Sequence, residues 1–264
     1  MLEPLVCLVA ISAAMLFLWS RSLDKMEMRV WDVYRFYGLF GSPYRVLSQA
    51  LACFAFGMKI TGMSLYAPNA LTGTLGTVKF MYSRTSPLHA VGRLFHAFAP
   101  LILGAILVNV FLSLPDRMPD AGSLPFYSWV WGSVRETAAA LLELVLSGWI
   151  GLGLVFLMSA VALQAVPTIR DTYITLGGLG VVALVLGGCL IGLDIVQAQF
   201  IPRGTALQYY LGIALDALER TLWLGVLGVY AVAVLAVIGA VLFVAVPAGC
   251  VYAFAFVRGA RGEL

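Results

Sequence analysis

Charge is the first thing this chain has little of. Only 11% of its 264 residues are Asp, Glu, Lys or Arg, against roughly a quarter in soluble globular domains. With 62% hydrophobic residues and a mean hydropathy of +0.98, that scarcity excludes an ordinary soluble domain and predicts a polytopic membrane protein. The surplus of positive charge is +3 and dispersed, which excludes a nucleic-acid partner held by a basic patch. Cysteine is scarce too: Cys7, Cys53, Cys189 and Cys250 all lie in apolar stretches with no CxxC spacing. This argues against a disulfide framework or a cysteine zinc site and for buried, inert thiols. There is no phosphate loop, no dinucleotide fingerprint and no internal repeat of the kind transporters show. No basic residue precedes the apolar stretch 2–19, which carries Glu3, so the stretch reads as an anchor rather than a cleaved signal peptide.

What is present is a series of apolar runs. Residues 2–19 are the first spanning candidate, near the minimum for a hydrocarbon core of about 30 Å. Residues 21–45 mix aromatic, basic and acidic side chains and suit an amphipathic helix at the cytoplasmic interface. Residues 46–58 are apolar but cover only about 20 Å at ~1.5 Å per residue, so a re-entrant helix is expected. Alternating apolar residues at 60–66 and strand-forming residues at 77–82, punctuated by Gly73 and Gly76, predict a β-hairpin beside or dipping into the membrane. Further spans are expected at 94–114, kinked at Pro100, at 144–166, ended by Pro167, and at the glycine-rich 173–196. Residues 129–143 read as a surface helix. The apolar run 221–257 is too long for one upright span, so a tilted helix kinked at Pro247 is expected. The fold class is therefore all-α and polytopic, with about five transmembrane helices, a short re-entrant helix and a small hairpin, in one domain over 1–264.

Orientation follows from Lys and Arg. If 46–58 does not cross, the regions 21–45, 59–93, 167–172 and the C-terminus share one side and hold 12 of the 16 basic residues. That predicts a cytoplasmic (inner) membrane protein of bacterial type, with its N-terminus outside and its C-terminus cytoplasmic.

The stretch 44–104 resembles the site-2-protease-like intramembrane zinc metalloproteases. The residues that carry the resemblance are the apolar helix before a glycine-rich turn, Leu71-Thr72-Gly73-Thr74-Leu75-Gly76, and the later Ala99-Pro100-Leu101-Ile102-Leu103-Gly104. The resemblance covers 61 residues, and 45–104 would be its core. It implies a His-Glu-x-x-His helix, in which two histidines on one face hold zinc and the Glu is the general base. The matching positions here read Arg45-Val46-Leu47-Ser48-Gln49. A permanent cation replaces one ligand, Val46 has no proton to exchange, and Gln49 offers only a neutral oxygen. A second, shorter match at 156–172 puts Gln164 where a histidine is expected and Asp171 where the family has its carboxylate. The resemblance thus implies a pseudoprotease: no catalytic residue, no metal and no cofactor, with Arg45, Val46, Gln49, Gln164 and Asp171 as degenerate positions. Arg45 and Asp171 are expected to pair in place of the zinc charge, because an unpaired buried charge is costly; the alternative is that both face cytoplasmic water.

The remaining candidates are weaker. His89 and His96 lie seven apart with no carboxylate nearby in sequence, so interfacial hydrogen bonding is expected rather than metal binding. Asp194 sits near the end of an apolar run, where a carboxylate marks an ion path or simply meets the interface. Ser48 has no histidine base in reach of the sequence pattern. The function expected is a non-catalytic binding or scaffold subunit of a membrane complex. Its partners would be other membrane proteins or a membrane segment, together with the lipid bilayer, in a homo- or hetero-oligomer. Two rivals stand beside it: an active metalloprotease with ligands drawn from His89, His96 and Asp171, and a small transporter or channel subunit using Asp194 or Asp171.

Overall fold

A computed structural model describes residues 28–70, 74–83, 85–117, 126–166 and 206–262 without a break, and scattered helical positions within 4–18 and 187–196. The described chain is mostly helical with one small sheet. Helix α1 (Met28–Ala55) leads into β1 (Lys59–Ser64) and β2 (Thr77–Met81). Then come α2 (Pro87–Leu112), the short α3 (Leu114–Arg117), α4 (Phe126–Leu146), α5 (Trp149–Ala165) and α6 (Ala206–Ile238). A π-helical stretch (Gly239–Ala245) runs without interruption into α7 (Val246–Gly262).

The long α1 corrects the expected division at residue 45. The amphipathic segment 21–45 and the short helix 46–58 are not separate elements: from Met28 one helix of 28 residues passes through Pro43 and Arg45. It ends where Gly57 takes φ +66° and the Met58 N–H reaches back to the Cys53 carbonyl at 2.8 Å, a left-handed cap that costs a residue without Cβ little. The hairpin falls where the alternation placed it. β1 and β2 pair antiparallel from Lys59–Met81 to Ser64–Thr77, with a bulge between Ile60 and Gly62. Beyond the strands Ala67 N–H still bonds Leu75 O at 2.6 Å and Asn69 N–H bonds Thr74 O at 2.8 Å.

Helix α2 starts earlier than the apolar run suggested. Ser86 caps it by accepting from the His89 backbone N–H, and Pro87 supplies a pre-set φ in the first turn. The expected span 144–166 is divided in two. Gly148 adopts φ +115°, a conformation open to glycine, and Ser147-Gly148 turns the chain sharply between α4 and α5. Helix α5 then has 17 residues, about 25 Å, and ends at Val166, whose extended backbone (ψ 126°) suits a residue before proline. At the far end the helix widens rather than breaking. The Val246 N–H bonds the Val241 carbonyl five residues back, just ahead of Pro247, which has no N–H and crowds the preceding turn.

Two of the described helical stretches are long and apolar enough to cross a bilayer, Phe95–Leu112 and Gln208–Phe254. They correspond to the expected spans 94–114 and 221–257. The spans expected at 2–19 and 173–196 lie largely outside the described residues, so two crossings, not five, have structural counterparts. Helices α1, α2, α5 and α6 pack on one another around a core that includes Tyr34, Val108, Leu163 and Val232. Helix α4 is anchored by an edge contact of Trp129 with Trp223 of α6, at 4.7 Å between ring centres. The Arg117–Glu143 ion pair at 2.9 Å ties it to α3.

Glycine governs how near these helices come. A Cβ on Gly41 would stand 2.2 Å from the Ala160 carbonyl oxygen of α5, whereas one on Gly153 would meet nothing within 4 Å. Gly41→Ala should therefore lower stability by about 1–3 kcal/mol through overpacking. Gly153→Ala should raise it by about 0.4–1 kcal/mol by narrowing the unfolded ensemble. Thermal unfolding of the detergent-solubilised protein measures both; equal shifts would contradict this packing.

Candidate functional site

The positions singled out at 45–49 lie in the interior, along α1. Arg45, Val46, Ser48 and Gln49 are all buried. Gln164, from the second match, is buried on α5, and its Nε2 donates to the Tyr34 hydroxyl at 2.9 Å. Tyr34 is the common point. Burial pushes its phenol above the ordinary range, while the Arg45 charge and the Gln164 hydrogen bond act in the opposite direction. The Gln164 amide and the Tyr34 phenol thus form a buried polar pair between α5 and α1.

Helical spacing explains the convergence. Tyr34, Gly38, Gly41 and Arg45 recur every three or four residues and share one face of α1. The two glycines open the space between. A Cβ on Gly38 would collide with Leu75 Cδ1 and lie 3.3 Å from Gln164 Nε2; one on Gly41 would reach Gln164 Cγ at 2.8 Å.

The hairpin covers the adjoining face of α1. Ser42 Oγ donates to the Leu65 carbonyl and Tyr66 Oη donates to the Arg35 carbonyl at 2.9 Å. A Cβ on Gly76 would strike Val46 Cγ2 at 2.6 Å and Leu65 O at 2.8 Å. Gly76 of the hairpin therefore lies directly on Val46. On the side facing α2, Tyr44 Oη donates to the Pro100 carbonyl at 2.8 Å. A Cβ on Gly104 would touch Tyr44 Oη and Ala165, each at 3.3 Å. Gly76 from the first of the motifs singled out in the sequence, and Pro100 and Gly104 from the second, thus flank the same stretch of α1.

Zinc does not fit this site. The donor set is a guanidinium, a valine and amide side chains, where a catalytic zinc needs three strong ligands and an open position. Ser48 spends its hydroxyl on the Tyr44 carbonyl one turn back, at 2.8 Å. Among the described residues no three of His, Cys, Asp and Glu converge on a point. His89 accepts from the Ser83 N–H through Nδ1 at 2.9 Å, in the loop before α2. His96 meets Phe80 in a tilted ring contact at 4.6 Å between ring centres, on the hairpin side of α2. Asp171 and Asp194 lie outside the described residues, and with them the Arg45–Asp171 pair and the carboxylates of both rival readings.

Tyr34 was not among the residues singled out from the sequence. Its signal was there in the Tyr34-Gly38-Gly41-Arg45 spacing, which becomes visible only when 28–55 is taken as one helix. No protein-family model, curated protein or solved structure matches the chain.

Removing one partner of a buried hydrogen bond strands the other, so Tyr34→Phe and Gln164→Leu should each cost about 1–3 kcal/mol. Because they share that bond, the double variant should lose less than the sum of the two. A double-mutant cycle read by thermal unfolding tests this, and strict additivity would mean the hydrogen bond contributes nothing.

Proposed function

We propose that this chain is an integral membrane protein on a site-2-protease-like frame that has exchanged catalysis for binding: a non-catalytic subunit that holds a membrane segment or another membrane protein. The observation that carries the reading is the buried Arg45. It stands on α1 where the resemblance expects a zinc ligand, and its neighbour Val46 lies under Gly76 of the hairpin. A fixed cation at that place repels a second cation, and Val46 beside it cannot act as a base. The apolar stretches Phe95–Leu112 and Gln208–Phe254 support residence in a membrane, and the basic bias of residues 21–45 and 59–93 supports a cytoplasmic hairpin. The hairpin has only two strands, so within that sheet each strand has a free edge. A strand edge can accept an extended peptide without any metal, and this is the surface we assign to partner binding.

Metal content of the detergent-purified chain, measured by mass spectrometry, tests the loss of the site. The natural chain should carry no stoichiometric zinc. The triple variant Arg45→His/Val46→Glu/Gln49→His should gain zinc if the surrounding frame is protease-like. Stoichiometric zinc in the natural chain would return the enzyme reading to first place, and a triple variant that folds but stays metal-free would count against the resemblance itself. Resistance to alkaline carbonate extraction tests membrane residence separately.

A further inference from the structure

Away from the Tyr34–Gln164 pair, a groove of about 780 Å³ opens between the C-terminal half of α2 and the middle of α6. Its lining is ordered by polarity along the helix axes. Ile102, Ile106, Val110, Leu224 and Val229 make up most of its length, while Ser113, Asp116 and Thr221 gather at one end, where α2 stops and α3 begins. Asn109 fastens the two walls together, its Nδ2 donating to the Leu224 carbonyl at 3.0 Å. Nearby, a Cβ on Gly228 would meet the Ala105 carbonyl oxygen at 2.8 Å. The two helices are therefore in backbone contact at the floor, and the groove is a slot above that contact. Ile106 and Val110 remain more than half exposed, on the flank that faces lipid if the chain spans a membrane.

We propose that this slot seats one lipid hydrocarbon chain, with an uncharged, hydroxyl-bearing headgroup at Ser113, Asp116 and Thr221. The inference rests on the membrane residence proposed above. Volume selects hydrocarbon over a partner helix. A helix about 10 Å across and four turns long fills roughly 1,600 Å³, twice what the slot offers. At about 30 Å³ per water-sized group, an eighteen-carbon chain with a small head fills most of the slot. Electrostatics selects the head. The charge in the lining is the exposed Asp116 carboxylate, an acceptor only. Thr221 Oγ1 already donates to the Ala217 carbonyl at 2.8 Å, so it too offers lone pairs. Arg117, next to Asp116, is held by Glu143 at 2.9 Å, and Arg220 does not line the slot. This end of the slot thus asks for hydrogen-bond donors and repels a phosphate.

The test is native mass spectrometry of the full, delipidated chain, titrated with monooleoylglycerol or with 1-oleoylglycerol 3-phosphate. The natural chain should take up one monooleoylglycerol and bind the phosphate lipid at least about tenfold more weakly. Ile106→Trp, which fills the slot from an exposed position, should abolish that uptake. Asp116→Lys, which leaves the slot open, should reverse the preference toward the phosphate lipid. Equal binding of both lipids, uptake unchanged by Ile106→Trp, or a slot occupied by a second copy of the chain or a transmembrane peptide would overturn the proposal. Carbonate extraction of the same proteins separates the two readings. A chain that stays in the membrane but ignores monooleoylglycerol defeats the lipid slot alone; a chain that leaves the membrane defeats the residence on which the slot rests.

Discussion

The approach of α1 to α5 through Gly38 and Gly41 is the constraint on which the rest of the packing depends. A carbonyl of one helix sits where a Cβ of the other would be at Gly41, and such proximity is available only where side chains are missing. It has two effects. It brings dispersion contacts to full strength over a long helix–helix seam, and it leaves a recess on either side of the contact. Gln164 and Tyr34 occupy one part of that recess, and Leu75 of the hairpin occupies another. The polar cluster and the hairpin docking are both consequences of the same two absent methyl groups.

The same geometry sets a polar pair in an apolar interior: the Tyr34 phenol on α1 is held by the buried Gln164 amide of α5 at 2.9 Å. The neighbouring elements are fixed by similar polar clips set in apolar surroundings: Tyr44 on the Pro100 carbonyl, Ser42 on the Leu65 carbonyl, and Tyr37 with Ser159 at 2.7 Å. Where competing water is scarce, such bonds specify register strongly because the alternative is an unsatisfied polar group. Tyr37 also stacks on Phe243 at 5.4 Å between ring centres, which ties the π-helical stretch to α1 and places the irregular turn before Pro247 against the core.

The functional reading and the packing reading then converge on one idea. Arg45, Val46, Ser48, Gln49 and Gln164 are all buried, so this part of the interior is closed. The surfaces we propose for binding are peripheral, the edges of the hairpin and the slot between α2 and α6, and neither requires a reactive group.

Several elements were legible in the sequence because their signals are local. The hairpin follows from alternation and glycine punctuation, and the helices over 94–114 and 221–257 follow from long apolar runs. The sharp stop of α5 follows from Pro167. Two boundaries were misjudged for identifiable reasons. Residue 45 divided the amphipathic segment 21–45 from the apolar 46–58 because a charge commonly marks the interface, whereas here Arg45 is buried inside one continuous helix. The division at Ser147-Gly148 was missed because the hydropathy on both sides is continuous; the Ser-Gly pair was the available signal. By itself, then, the sequence determined apolar character, strand pairing and the absence of ligand chemistry at 45–49, since these depend on residue type and spacing. Only the tertiary structure decided that residues 28–55 are one helix and that Gln164 meets Tyr34, because those outcomes depend on how closely Gly38 and Gly41 let distant helices approach.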